Sequence, residues 1–295
     1  LSNTSVISVK NLTQRYGKGR VIYENLSFEV PKGRILGLLG KNGTGKTTTI
    51  NILMGFLKPQ SGECKIFGED ITAMTPETRS RIALLLEGHV QYSFMTISQI
   101  EHFYSKFYPK WNKDAYYSLM KKLKVTPEQK ISSMSNGQRS QVALGLILAQ
   151  NADLLVLDDF SLGLDPGYRR LFIEYLRDFV KKEGKTVFMT SHIIQDLERL
   201  VDDCIIMDYG KILTQMPVDE LMSTLKRYTY SGDKLPEGED IYSPWRSESG
   251  NEFYSFKTLE EVKTILAQQQ INPTDLTAEA PASLEDAFIG LTARY

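Results

Sequence analysis

Eight consecutive residues, Gly40-Lys41-Asn42-Gly43-Thr44-Gly45-Lys46-Thr47, carry the clearest chemistry in the chain. They fit the spacing G-x-x-x-x-G-K-[ST] of a phosphate-binding loop and follow an apolar run from Ile35 to Leu39. Glycines at these positions let successive backbone N–H groups turn inward around a phosphate. Lys46 brings a charge to the β- and γ-oxygens, and Thr47 offers a hydroxyl to Mg²⁺. Thr48 completes the nucleotide-contacting set and opens a helical pattern to Phe56, with apolar residues at Ile50, Leu53 and Met54. A buried strand before the loop and a helix after it are the setting the motif requires.

A second constellation is Leu154-Leu155-Val156-Leu157-Asp158-Asp159, an apolar run ending in two carboxylates. A buried strand would deliver Asp158 beside the phosphate loop, where it can hold Mg²⁺, and would leave Asp159 facing the γ-phosphate. Between the two lies Met134-Ser135-Asn136-Gly137-Gln138, ahead of a helical pattern to Gln150. A serine and a glycine at a helix start form a cap and also an anion site, through orphan N–H groups and the positive end of the dipole. By itself this is an ordinary N-cap.

The elements that must position these residues alternate between strand and helix. Strand patterns occupy Val6 to Val9, Leu26 to Val30, Glu63 to Phe67, Leu154 to Leu157, Thr186 to Thr190 and Cys204 to Met207. Intervening helices give the βαβ rhythm of a mostly parallel sheet. From about Gly88 to Lys130 an aromatic-rich helical insert interrupts it, with Phe94, Phe103, Phe107, Trp111 and Tyr116 among its rings. Beyond Arg227 a polar stretch with Gly232, Pro236, Gly238 and Pro244 marks a boundary, and the remainder reads as one short strand and two helices. The 295 residues allow one to two domains. A net charge of −1 predicts no broad basic face, which argues against a primary nucleic-acid binder. Cys64 and Cys204 suggest neither a disulfide framework nor a zinc site. No apolar run is long enough to span a bilayer, and no secretion signal is legible.

The order of segments decides the reading of the serine-glycine cap. Phosphate loop, helical insert, Ser135 cap, acidic strand, Ser161-Leu162-Gly163-Leu164-Asp165 and then His192 after a strand resemble the nucleotide-binding subunits of ATP-binding cassette (ABC) transporters, over roughly Val6 to Arg227. That resemblance implies that Tyr16 stacks on adenine. It also implies that Ser135, Gly137 and Gln138 form the signature reaching the γ-phosphate held by a second subunit. Asp165 would lie in the loop that links the two sites, and His192 would be the switch histidine. Glu87 stands where the family usually has glutamine, and would touch Mg²⁺ or water and sense the membrane partner. Asp159 replaces the usual glutamate, Phe160 a proline, and Asn136 the commoner glycine.

The expected fold is therefore α/β: a phosphate-loop NTPase (RecA-like) core with an N-terminal β-layer, an α-helical insert over about residues 88–140 and a small C-terminal α+β appendage. The ATP-binding domain would cover residues 1–227 and the accessory domain 228–295. The tail resembles that of exporter ATPases paired with a separate membrane permease, with Ala282-Ser283-Leu284-Glu285-Asp286-Ala287-Phe288 as its closing motif. The implied function is an ATP-hydrolysing exporter subunit that dimerises head to tail as a homodimer or pseudo-homodimer. It would be cytoplasmic, held peripherally at the inner face of the membrane by its permease. Its cofactors would be ATP and Mg²⁺, its catalytic residues Asp159, His192 and Glu87, and its metal ligands Thr47, Asp158 and Glu87. Two rivals remain at this level. One is a regulatory module with little hydrolysis, for which Glu87 and Asp159 argue. The other is an ABC-type ATPase acting on DNA, which would need long heptad arms where only about eighty residues separate phosphate loop and signature.

Overall fold

A computed structural model describes residues 5–17, 19–86, 92–161, 164–247 and 250–293. Six strands form the central sheet: β3 (Ile35–Gly40), β6 (Ile82–Leu85), β7 (Leu154–Leu157), β8 (Thr186–Thr190), β9 (Asp203–Asp208) and β10 (Lys211–Pro217). Their order is β10-β9-β3-β8-β7-β6, parallel throughout except for the β9–β10 pair. These strands read as unbroken apolar runs because both faces are covered. Successive side chains alternate between two cores: Ile35 and Leu39 of β3, Leu155 and Leu157 of β7, and Val187 and Met189 of β8 enter one. Leu36, Leu38, Leu154, Val156 and Phe188 enter the other.

The second core is closed by α1 (Lys46–Leu53) and an antiparallel sheet of β1 (Ser5–Tyr16), β2 (Arg20–Pro31), β4 (Ser61–Ile66) and β5 (Glu69–Asp70), in the order β2-β1-β4-β5. This is the expected N-terminal β-layer, but β1 runs well past Val9. A register shift between Val9 and Leu12, with Asn11 at φ 49°, makes a bulge that lets the strand continue to Tyr16. α2 (Pro76–Ser80), capped by Thr75, leads into β6.

The first core is covered by the insert: α3 (Ile97–Ser105), α4 (Lys113–Lys122) and α5 (Asn136–Ala149), then α6 (Pro166–Glu183), α7 (Ile194–Glu198) and α8 (Val218–Thr224). The insert's aromatic residues divide. Tyr116 is wholly buried and donates its hydroxyl to Ile97 O, whereas Phe94 and Phe107 are 70% and 63% exposed. Both cysteines are free and buried, and burial pushes each thiol up to about 12.

The tail is more sheet-like than its sequence pattern predicts. β11 (Lys226–Ser231), β12 (Tyr242–Ser247), β13 (Gly250–Ser255) and β14 (Thr274–Glu279) form a four-stranded sheet in the order β12-β13-β11-β14. β11 crosses the expected boundary at 227/228. With α9 (Leu259–Gln268) the sheet buries its own small core around Tyr228, Phe253, Val262 and Leu266. The last helix, α10 (Leu284–Thr292), instead sends Leu284, Ala287, Phe288 and Leu291 into the large core beside the central sheet.

Candidate nucleotide-binding site

β3 ends at Gly40 and α1 begins at Lys46, so the phosphate loop is a tight strand-to-helix turn at the carboxyl edge of the sheet. Gly43 and Gly45 hold φ of 81° and 104°, the left-handed region in which L side chains are strained. Gly45 has a second reason to lack a side chain: a Cβ there would meet Ile22 Cγ2 at 2.6 Å and the Tyr23 ring at 2.7 Å. No side chain caps α1, so its first N–H groups face the loop. Lys46 is only 7% exposed, and its Nζ donates to Gly40 O at 2.7 Å and Lys41 O at 3.1 Å. Burial lowers its pKa, an effect opposed by the charges of Asp159 and Asp158. Thr44 is fully buried and donates its hydroxyl to Lys41 O, tying the loop across its width.

β7 delivers the two carboxylates to the same edge. Asp158 is 2% exposed, and its Oδ1 accepts from Thr190 Oγ1 at 2.7 Å and lies 3.4 Å from Thr47 Oγ1. A carboxylate and a hydroxyl so placed fit Mg²⁺, which takes one or two protein oxygens and completes its shell with water and phosphate oxygens. Among the described residues no group of three or more His, Cys, Asp or Glu forms an all-protein cage. Asp159 follows at φ 47°, a left-handed conformation that aspartate tolerates better than most residues. Its N–H donates to Thr190 Oγ1, and its Oδ1 accepts from His192 N at 3.1 Å. His192 Nε2 stands 2.9 Å from Asp159 Oδ2, yet that oxygen lacks a hydrogen-bond partner of good geometry. The contact is therefore a close polar pair rather than an aligned hydrogen bond. Thr190 ties the Asp158 carboxylate to the Asp159 backbone N–H, a role its sequence position did not reveal; the signal is a hydroxyl at the end of a buried strand.

Tyr16, Asn42, Gly43, Gly45, Lys46, Thr47, Thr48 and His192 line one cleft of about 370 Å³. Tyr16 is 47% exposed at its mouth, with its hydroxyl 3.3 Å from Thr48 Oγ1, so its ring face is open to a planar partner. The ABC transporter family matches residues 23–161. The bacitracin transport ATP-binding protein BcrA of Bacillus licheniformis is 31% identical over 227 residues, 76% of this chain and 74% of the relative.

The chain belongs to the ABC transporter family.

The Nod factor export ATP-binding protein I of Ralstonia nicotianae is 29% identical over an alignment covering 100% of this chain and 96% of the relative. A solved ATP-binding subunit of an ABC transporter superposes with a TM-score of 0.65 at 24% identity, over 74% of this chain and 92% of that one, which shows the shared fold. Ser135 and Asp165, singled out in the sequence, do not line the cleft. Ser135 caps α5, its Oγ accepting from Gln138 N while Gln138 Oε1 accepts from Ser135 N, a reciprocal capping box on an exposed helix end. Gly137 lies directly under the Tyr168 ring, which leaves no room for a side chain. Asp165 caps α6 by accepting from Gly167 N and Tyr168 N. Phe160, where the family usually has proline, is buried and stacks on Phe172 at 4.9 Å, anchoring the segment after Asp159 to α6. Glu87 lies outside the described residues.

Proposed function

We propose that this chain is the ATP-hydrolysing subunit of an exporter, working as two copies arranged head to tail and driving a separate membrane permease. The observation that carries the reading is the meeting of buried Asp158 with Thr47, and of buried Asp159 with His192, where Thr47 and His192 line one phosphate-loop cleft. Tyr16 would hold adenine, while the loop N–H groups and Lys46 bind the phosphates. Bound between Thr47 and Asp158, Mg²⁺ would neutralise charge on the β- and γ-oxygens. Asp159 accepts a proton from the attacking water, and His192 holds that carboxylate and faces the γ-phosphate. Lys46 stabilises charge on the transferring group.

A second copy would complete the site: Ser135 and its helix end are exposed and do not line the cleft of their own chain. A helix N-terminus is suited to a phosphate. The full-length relative named for Nod factor export supports export, and the exposed rings of the insert support permease docking. Tyr92, Phe94, Phe103 and Phe107 form a chain of edge-to-face and tilted contacts 5.1–5.9 Å apart, three of them at least 42% exposed. Such a surface fits an amphipathic permease helix at the inner face of the membrane. No helix among the described residues is long and apolar enough to cross a membrane itself.

The test is Mg-ATP binding and phosphate release by the chain co-purified with its permease. Lys46→Ala should lose both. Tight Mg-ATP binding by Lys46→Ala would reject the site, and binding without turnover in wild type would favour the regulatory module.

A further inference from the structure

The closing helix α10 contacts the phosphate loop at one end and the helix that follows His192 at the other. At its C-terminus, Lys41 of the phosphate loop donates from Nζ to Thr292 O at 2.5 Å and to Ala293 O at 2.9 Å. These are the carbonyls of the last helical residue and of its non-helical C-cap, without intrahelical partners at the negative end of the helix dipole, so an ammonium there both satisfies and neutralises them. At its N-terminus, Leu284 N donates to Glu198 Oε1 at 3.2 Å, and Gln195 Nε2 donates to Glu285 Oε2 at 2.9 Å. Gln195 and Glu198 belong to α7, which begins two residues after His192. Between the two ends, Leu284, Ala287, Phe288 and Leu291 pack in the core that also holds Leu197, Leu200 and Val201.

We infer that α10 is a brace that positions the phosphate loop against the His192 segment, with Lys41 and Glu198 as its positioning residues. The inference rests on the nucleotide-site reading above and goes beyond it, giving the appendage a role in turnover. Lys41 is the point of coupling. Its carbonyl accepts from Lys46 Nζ, while its side chain holds α10. Phosphates that draw Lys46 away remove that donor from Lys41, so the residue that latches α10 sits in a different field when ATP is bound. The C-terminal sheet grips the same helix. Tyr254 donates its hydroxyl to Asp286 Oδ1 at 2.8 Å, and its ring lies over Gly290, where a Cβ would clash at 2.5 Å. Movement of the appendage thereby reaches the phosphate loop and the helix that follows His192. Coupling of this kind is reciprocal: whatever nucleotide does to α10, α10 does to nucleotide binding.

Amide hydrogen exchange on the full chain, with Mg²⁺ and a non-hydrolysable ATP analogue at saturation, tests this. Exchange over residues 284–292 should slow by at least about fivefold on nucleotide binding, the lower end of typical coupling between sites. Gln195→Ala, which lies outside the phosphate loop, should weaken that response while residues 46–53 still slow, and Gln195→Lys should restore it. Glu198→Ala, which lies outside the phosphate loop, should lower kcat about fivefold in the permease complex with KM unchanged, because it frees the His192 segment without touching the nucleotide. An α10 indifferent to nucleotide while residues 46–53 slow would overturn the brace and leave the site intact. So would a normal α10 response in Gln195→Ala, or an unaltered kcat in Glu198→Ala. If residues 46–53 themselves do not slow in wild type, the nucleotide site has failed and the brace with it.

Discussion

Replacing Asp159 by asparagine removes the proposed proton acceptor and little else. The side chain is 5% exposed, its Oδ1 accepts from His192 N at 3.1 Å, and an asparagine oxygen can take the same bond. Nucleotide affinity should therefore persist. A positioned general base contributes about a hundredfold to ten-thousandfold, which corresponds to roughly 2.7–5.4 kcal/mol of barrier. Aspartate is one methylene shorter than the glutamate that the family resemblance leads one to expect here; a carboxylate drawn back by more than about 1 Å would cost on the order of a hundredfold. The left-handed backbone at Asp159, φ 47°, turns this residue toward His192 and offers a route to partial compensation. Phosphate release by the permease complex, measured beside equilibrium nucleotide binding, should show slow but finite wild-type turnover. Asp159→Asn should fall by at least about a hundredfold with unchanged affinity. Equal rates in the two proteins would refute the reasoning and move the search for the catalytic carboxylate to Glu87.

Tyr16→Ala should weaken ATP binding by about 1–3 kcal/mol, the worth of a base stacked on an aromatic ring, while leaving inorganic triphosphate binding unchanged; competition titrations separate the two. Gly45→Ala places a Cβ at φ 104° against the Tyr23 ring, so it should abolish nucleotide binding and lower stability by about 1–3 kcal/mol in denaturant titration; a fully stable, ATP-binding variant would contradict the loop geometry. Phe94→Ser with Phe107→Ser should leave the melting temperature of the isolated chain within a few degrees, since both rings are mostly exposed, yet abolish co-purification with the permease.

The phosphate loop was legible because its chemistry is local: glycines, Lys46 and Thr47 sit within eight residues and fix one turn. The acidic pair and His192 were legible as strand ends once the loop was in place, and the structure brings all of them to one edge. The tail was harder. β14, Thr-Asp-Leu-Thr-Ala-Glu, is an exposed edge strand with no apolar alternation, stabilised by its pairing with β11 rather than by burial. β12 carries Pro244, which reads as a loop but sits in a strand paired only with β13 on the sheet's outer edge, where a missing N–H is tolerated. β11 looked like a polar boundary although Tyr228 and Tyr230 alternate into the small core. The Lys41 contact with Thr292 joins residues 251 positions apart, and no local pattern encodes a bond of that range.

The central claim is that one chain's ATP-loaded cleft is completed by the Ser135 helix end of a second copy. Sedimentation of Asp159→Asn with and without Mg-ATP tests it most directly, because this variant should hold ATP without consuming it. The account predicts a monomer without nucleotide and a doubled mass with ATP. Adding Ser135→Arg should return the protein to a monomer that still binds ATP. Doubling that occurs without nucleotide, or that survives Ser135→Arg, would contradict the claim.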